Sequence, residues 1–397
     1  MGNKKRKGGI GMVEWKKLGE VCSFFRGRSL SKKDIGEGNH QILLYGELYT
    51  TYGDYITHIK SKTSFEKAIV ATKLKYNDLV LPVSSTTKEA QIGKVSVIKT
   101  KSDVYLGSDA ILLRDTFNPA YLMYYLNSTL FEKSKMECVH GTTIMHLSPT
   151  ELAQKEIPIP SLSEQSRIVS ILDTFTSSIS NLKQQIEERR KQYEYERDLL
   201  LDLEGKEGVE MKKLGEVANF VKDRIEASFL NSQNYVSVEN LLKDKAGRID
   251  SENVPFKGNW SCYKHGDVLI GNIRPYLRKI WLADRKGGTN GDVLIIRPNE
   301  FILPQFLYCV LASEKFFEYY NQTAKGGKMP RGEKSRALSY IIPLPPLSTQ
   351  SRIVSILDTF EQSISNLEEQ LAMREKQYEY YRNQLLTFEG EEERGKT

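Results

Sequence analysis

Asn272, Arg274, Arg278 and Lys279 fall within eight consecutive residues, and Lys325, Lys328, Arg331, Lys334 and Arg336 fall within twelve. These side chains suit recognition rather than bond making. A guanidinium forks onto the acceptor edge of guanine and an asparagine amide onto adenine, while lysine neutralises phosphate without reading sequence. Tyr276 stands among them, and Gly326 and Gly327 let the backbone approach a ligand closely. Pro275 biases the backbone of Arg274 toward an extended form, which makes Arg274 the first choice for a base reader. Lys222 and Arg224 add two cations upstream. A less basic set lies earlier in the chain: Arg26 and Arg28, the run Ser84, Ser85, Thr86, Thr87 and Lys88, then Thr142, Thr143 and His146. Each residue taken singly also fits a solvated surface. What points to a nucleic-acid ligand is their occurrence in paired loops at matching positions.

Groupings that carry catalysis are missing from the sequence. It holds no GxxxxGK[ST] phosphate loop, no Gly-rich cofactor turn, no Asn/Asp-Pro-Pro-aromatic tetrad and no acid–acid–lysine nuclease set. His40, His58, His140, His146 and His265 show no metal-binding spacing. Cys22, Cys138, Cys262 and Cys309 are scattered without a CxxC pair, as expected for reduced thiols in a cytoplasm. The expectation is a chain that binds no metal or cofactor, with any chemistry supplied by another chain.

The elements that must position the loops come as a duplication. The stretch QSRIVSILDTF occurs at Gln165–Phe175 and again at Gln350–Phe360, and 31 of 47 positions agree between 157–203 and 342–388. A shorter motif, Lys16-Lys17-Leu18-Gly19-Glu20-Val21, returns as Lys212-Lys213-Leu214-Gly215-Glu216-Val217. Two copies are too few for a solenoid and suggest a pseudo-twofold pair. Each repeated segment follows a proline-rich turn, with Ser163 and Ser348 as candidate N-caps. Apolar residues then recur in steps of four and three: Ile168, Leu172, Phe175, Ile179, Leu182, Ile186, Tyr193 and Leu200 in the first copy. The second copy has Ile353, Leu357, Phe360, Ile364, Leu367, Leu371, Tyr378 and Leu385. That is a heptad seam about 60 Å long at ~1.5 Å per residue. The two seams most simply pack on each other within one chain, antiparallel; a coiled coil between two copies of the chain is the alternative.

Between the repeats, strand patterns at 78–82, 92–98, 107–113, 266–270 and 290–296 precede helices opened by Pro119 and Pro304. Tyr45, Tyr49, Tyr52 and Tyr55 fit stacking on bases, and also the core and rim of a sheet. The fold class is α+β: two mixed α/β domains related by the pseudo-twofold axis and joined by two long helices. The expected boundaries are 1–21 (basic tail and short motif), 22–156 (first block), 157–208 (central helix), 209–341 (repeated motif and second block) and 342–397 (second helix and acidic tail).

Charge follows the same division. Residues 22–156 carry a net +3 and residues 218–341 a net +6, whereas 157–203 and 342–388 carry −2 each. The basic excess therefore sits in the dissimilar blocks and suits a polyanion. No apolar run approaches the ~20 residues that span a bilayer, and no signal core follows the basic start, so a cytoplasmic protein without a membrane partner is expected.

The paired segments Ile157-Pro158-Ile159-Pro160-Ser161-Leu162-Ser163-Glu164-Gln165 and Ile342-Pro343-Leu344-Pro345-Pro346-Leu347-Ser348-Thr349-Gln350 each run into Arg-Ile-Val-Ser-Ile-Leu-Asp. With the Lys-Lys-Leu-Gly-Glu-Val motif opening each half, the chain resembles the specificity subunits of type I restriction–modification systems. The resemblance covers essentially everything after Val13. It implies two target recognition domains, at about 22–156 and 218–341, each reading one half of a split site in double-stranded DNA. It further implies two methyltransferase subunits that use S-adenosylmethionine, and motor–nuclease subunits that use ATP and Mg2+. This chain would itself be non-catalytic, the recognition unit of an adenine-N6 methyltransferase and ATP-dependent endonuclease. Modules on one face of a duplex would place half-site centres about one turn, ~34 Å, apart. Two other readings remain open on sequence: a stand-alone DNA-binding regulator or decoy, and a coiled-coil scaffold bearing two protein-binding modules.

Overall fold

The computed structural model describes residues 6–7, 12–86, 92–114, 118–322 and 324–388. The chain forms two compact units, one from residues 1–181 and 371–397, the other from 182–370. The boundaries fall inside two long helices, Leu162–Leu200 and Leu347–Leu386.

In the first unit, strand Met12–Lys17 pairs antiparallel with Glu156–Ile159, so the opening motif and the turn before the helix form one ladder. The one-turn helix Leu18–Val21 follows and leads into a five-stranded sheet ordered Ser23–Arg26, Ala110–Arg114, Leu79–Pro82, Ser96–Ile98, Tyr55–Ile56. A second sheet has the order Ser61–Thr63, His40–Leu43, Val104–Leu106, Thr72–Lys73. Helices Pro119–Leu126 and Thr129–Met136 are capped by Asn118 and Ser128, whose side chains accept from the amides of Tyr121 and Phe131.

The second unit repeats the plan. Glu210–Lys213 pairs with Ile341–Leu344, and the one-turn helix Leu214–Val217 leads to a sheet ordered Ala218–Phe220, Val293–Pro298, Val268–Gly271, Ile280–Leu282. A further sheet runs Arg224–Glu226, Asn259–Tyr263, Gly287–Thr289, Tyr235–Val236. Helices Pro304–Leu311 and Glu314–Gln322 cover the first of these sheets on the core side.

A buried ion pair recurs in both units. Arg114 grips Asp78 with two bonds of 2.9 and 2.6 Å, and Arg297 grips Asp267 with two of 2.8 Å. Each aspartate also accepts a backbone amide three residues earlier, from Lys75 and Lys264. A carboxylate this buried is tolerated only when paired and hydrogen-bonded, and both requirements are met twice. The pair staples the end of one central strand to the turn that starts its neighbour.

The long helices depart from expectation at their starts. Both begin ahead of the serines chosen as caps. Ser161 Oγ accepts the Glu164 amide at 3.3 Å, which makes Ser161 the cap and leaves Ser163 inside the first turn. In the second copy Pro346 stands at that place; its carbonyl accepts from Thr349 and Gln350, and its fixed φ suits a helix entry. The repeated glutamine explains the motif. Gln165 Nε2 donates to the Pro160 carbonyl and Gln350 Nε2 to that of Pro345, both at 2.9 Å and both buried, tying each proline turn to its helix.

The seam is intramolecular and antiparallel, but only its middle is a helix pair. In the first unit Phe175 stacks on Tyr381 at 5.4 Å and meets Tyr378 at 6.4 Å, with Arg374 over its face. In the second unit Arg190 pairs with Glu368, and Tyr193 donates to Glu361 at 2.9 Å. Early residues of one helix thus meet late residues of the other. Ile168 and Leu172, expected in a coiled-coil seam, belong instead to the core of the first unit, together with Leu113, Leu122 and Leu386. Ile353 and Leu357 likewise join Ile270, Leu294 and Phe306 in the second. Ile179, Leu182, Ile364 and Leu367 are half-buried.

Leu172→Ala empties a fully buried site between sheet, helix and seam. It is expected to destabilise the first unit by ~2–5 kcal/mol, read as a lowered urea midpoint of tryptophan or backbone signals.

Candidate nucleic-acid interface

The second unit brings its two basic loops together. Strand Val268–Gly271 runs into the 272–279 loop, and the 325–332 loop lies against it. Ile273 bridges Arg331, the Arg274 amide donates to the Pro330 carbonyl at 2.8 Å, and the Gly332 amide to that of Asn272 at 3.2 Å. Arg331 turns back within its own loop to bridge Lys325 and extends its guanidinium to Asp292 at 3.2 Å.

Sorting the expected readers by exposure changes their roles. Asn272 is buried and its amide oxygen is held by the Tyr320 hydroxyl, so it anchors the loop rather than facing a ligand. Arg274 is not extended. Its φ of 51° and ψ of 60° are left-handed, and Arg278 at the far end of the Pro275–Leu277 turn has φ 50°. The proline preference is overridden by the bonds on both sides of the turn, a strained conformation held by its surroundings. Arg278 and Lys279, counted above among the basic loop residues, are committed elsewhere. The Arg278 guanidinium meets Asp244 at 3.1 Å and Glu314 at 2.9 Å, and these bonds hold it above its ordinary value. Lys279 Nζ donates to the Val238 carbonyl at 2.7 Å, and burial holds that ammonium below its usual range. The groups left at the surface are Tyr276, 53% exposed, and Lys325, Lys328, Arg331, Lys334 and Arg336. Lys325 pairs with Glu333 at 3.0 Å. Lys222 and Arg224 are exposed on the neighbouring strand region, where Arg224 reaches Ser261.

The first unit builds the corresponding place from different residues. Ser84 and Ser85 form a short strand against His146 and Met145, and Val139–His140 adds a third. Ser84 and Ser85 are buried, whereas Thr86, Thr142, Thr143 and His146 are exposed. Thr87 and Lys88 lie outside the described residues. Ser84 Oγ lies 3.1 Å from Asp109 and 3.0 Å from His146 Nδ1. Nucleophilic catalysis needs the histidine between serine and carboxylate. Here the serine lies in the middle, so the trio is a tie between loops. Arg26, exposed at the end of its strand, lines a cleft with Ser84, Asp109, His140 and His146; Arg28 is exposed two residues on. The tyrosines belong to the core and rim: Tyr49 donates to the Ser84 carbonyl, Tyr52 accepts from the Lys60 amide, and Tyr55 donates to Asp173.

Sequence reasoning missed the residues that hold these loops: Asp109, Asp244, Lys245, Asp292 and Glu314. Asp109 and Asp292 had a signal, since they occupy the same place in the two halves. Asp244 and Glu314 had none, because their partner Arg278 is more than thirty residues away from each.

Among the described residues no three His, Cys, Asp or Glu side chains gather as a metal site, and no helix is long and apolar enough to cross a membrane.

The chain is thus two units of one plan, each carrying a pair of polar loops over a repeated framework. Residues 12–189 and 206–373 both match the family model of the type I restriction modification DNA specificity domain. The chain belongs to that family. Over 260 residues it is 31% identical to the EcoR124I/EcoR124II specificity subunit of Escherichia coli, a match spanning 59% of this chain and 64% of that relative. The type I restriction–modification S subunit of M. genitalium shares the fold with a TM-score of 0.56 at 17% identity, covering 98% of this chain and all of the other. A chain from a structure of type I R-M complex assembly and conformational transition gives 0.60 at 18% identity, covering 96% and 98%.

Gly141 turns the first-unit hairpin at φ 107°, and a Cβ there would lie 2.1 Å from the Ile144 carbonyl oxygen. Gly141→Ala is expected to cost ~1–3 kcal/mol locally. Amide exchange should accelerate across 139–147 while Leu79–Pro82 stays protected.

Proposed function

We propose that the chain is the non-catalytic recognition subunit of a type I restriction–modification complex. Each divergent block reads one half of a bipartite site in double-stranded DNA. The long helices set the spacer and dock two methyltransferase subunits. S-adenosylmethionine belongs to those subunits, and ATP and Mg2+ to motor–nuclease subunits that join them. The observation that carries this reading is the convergence, in each unit, of two loops of unlike composition on matching strand ends of a repeated framework. A framework that stays constant while its loops differ is what two half-site sequences require. The exposed lysines and arginines of the two basic loops suit phosphate and base edges, and Arg26 with the serine–histidine loop offers a less basic counterpart.

The test is a block exchange. Replacing residues 22–156 by the matching block of another family member, in a complex with its methyltransferase subunits, should change one half of the methylated site and leave the other intact. A change in both halves, or in neither, would reject the assignment of one block to one half-site.

A second expectation concerns the helices. Removing Leu182–Glu188 together with Leu367–Met373 takes one heptad from each, in the stretch outside both globular cores. The apolar stripe stays in phase, and the pair shortens by ~10 Å, about three base pairs of rise. Mapping of methylated adenines should return the same half-sites with a shorter spacer. An active complex with an unchanged spacer would show that the helices do not measure it.

A further inference from the structure

Seven non-glycine residues have positive φ among the described residues, and four of them meet at one point of the second unit: Asp244, Lys245, Arg274 and Arg278. The Asp244 amide donates to the Leu277 carbonyl at 2.9 Å and the Lys245 amide to that of Arg278 at 3.0 Å, so two tight turns lock edge to edge. Side chains close the lock. Arg278 spans Asp244 and Glu314, and Lys245 Nζ reaches Glu314 at 2.8 Å and Glu194 at 3.0 Å. Lys245 is largely buried, and Glu314 sits in the first turn of its helix, where the dipole favours a carboxylate. Burial opposes ionisation of Glu314, yet the bonds from Lys245 and Arg278 outweigh it and hold the carboxyl below the usual range. Glu194 belongs to the first long helix within the same unit.

We propose that Lys245, Arg278 and Glu314 form a clasp that fixes the Arg274–Arg278 loop against the first long helix through Glu194, and that this clasp determines how sharply the second unit discriminates bases. The inference rests on the reading that this loop faces DNA. Exposed Tyr276 and half-buried Arg274, whose Nε is buried without a hydrogen-bond partner, belong to the turn that Arg274 and Arg278 bound at positive φ. Their position is set by what holds the turn's ends. Discrimination by a bidentate contact requires placement within about 0.5 Å, so a loosened loop still binds but reads less sharply. The clasp residues are positioning residues and touch no base.

The experiment uses the full chain with its methyltransferase subunits and ranks methylation of duplexes carrying each base at each position of the site. Lys245→Ala should lower discrimination at one or two positions of a single half-site about tenfold, leaving the other half-site as an internal control. Lys245→Arg keeps a cation able to span both carboxylates and should restore it, which a merely structural role would not predict at equal Tm. Asp244→Asn, which tolerates the left-handed turn, is the milder variant should Lys245→Ala fold poorly. Wild-type discrimination in the folded Lys245→Ala or Asp244→Asn complex overturns the clasp, as does equal relaxation of both half-sites. Arg274→Ala with Tyr276→Ala separates the two ideas. If that pair alters a half-site while Lys245→Ala does not, the clasp alone is wrong; if neither alters it, the loop's part in reading is wrong as well.

Discussion

Burial of one apolar stripe governs the whole chain. A helix of about forty residues with an apolar residue every three or four cannot stand alone in water, and each of the two long helices spends its stripe in three places. Its first turns enter the core of the half they follow, through Ile168 and Leu172 or Ile353 and Leu357. Its middle pairs with the other helix. Its last turns pack on the unit of the opposite half, Tyr193 and Leu200 on one, Tyr378 and Leu385 on the other. The fully buried turns carry the greater hydrophobic stabilisation, and the half-buried middle contributes direction and register.

From that constraint the division between framework and loops follows. The proline turn, the buried glutamine and the short ladder are duplicated because they set the angle at which the stripe enters each core. The Asp78–Arg114 and Asp267–Arg297 pairs are duplicated because they hold the central strands that the loops grow from. Beyond those strand ends nothing in the framework dictates sequence, and there the halves diverge. One unit ties its loops with Ser84, Asp109 and His146, the other with Asn272, Asp292 and Arg331.

How much of this was legible in the sequence depended on the range of the interaction. The repeat, the heptad pattern and the strand patterns are local, and the helices, central strands and loop pairing followed from them. The seam's true extent was not legible, because a stripe that packs on a sheet has the same spacing as one that packs on a helix. Ser163 misled because two serines flank Leu162 and only the geometry of the proline turn selects Ser161. Arg274 and Asn272 show the limit at the site. A propensity before proline is worth less than two loops bonded to the same turn, and whether an asparagine faces solvent depends on Tyr320, distant in sequence. Arg278 and Lys279 looked available because their partners come from elsewhere along the chain.

The unit that comes first in the sequence is also the one that is discontinuous. Its core includes Ile168 and Leu172 from an early stretch, and Leu386, with Leu385 and Phe388 against it, from a stretch beyond residue 370; residues 182–370 form the other unit without a break. In topological terms the second unit is an insertion within the first. On the ribosome the first sheet emerges early but must wait, with part of its apolar surface uncovered, for a helix translated some two hundred residues later. The contiguous unit has no such delay. The order in which the cores can be completed is therefore the reverse of the order in which they are written.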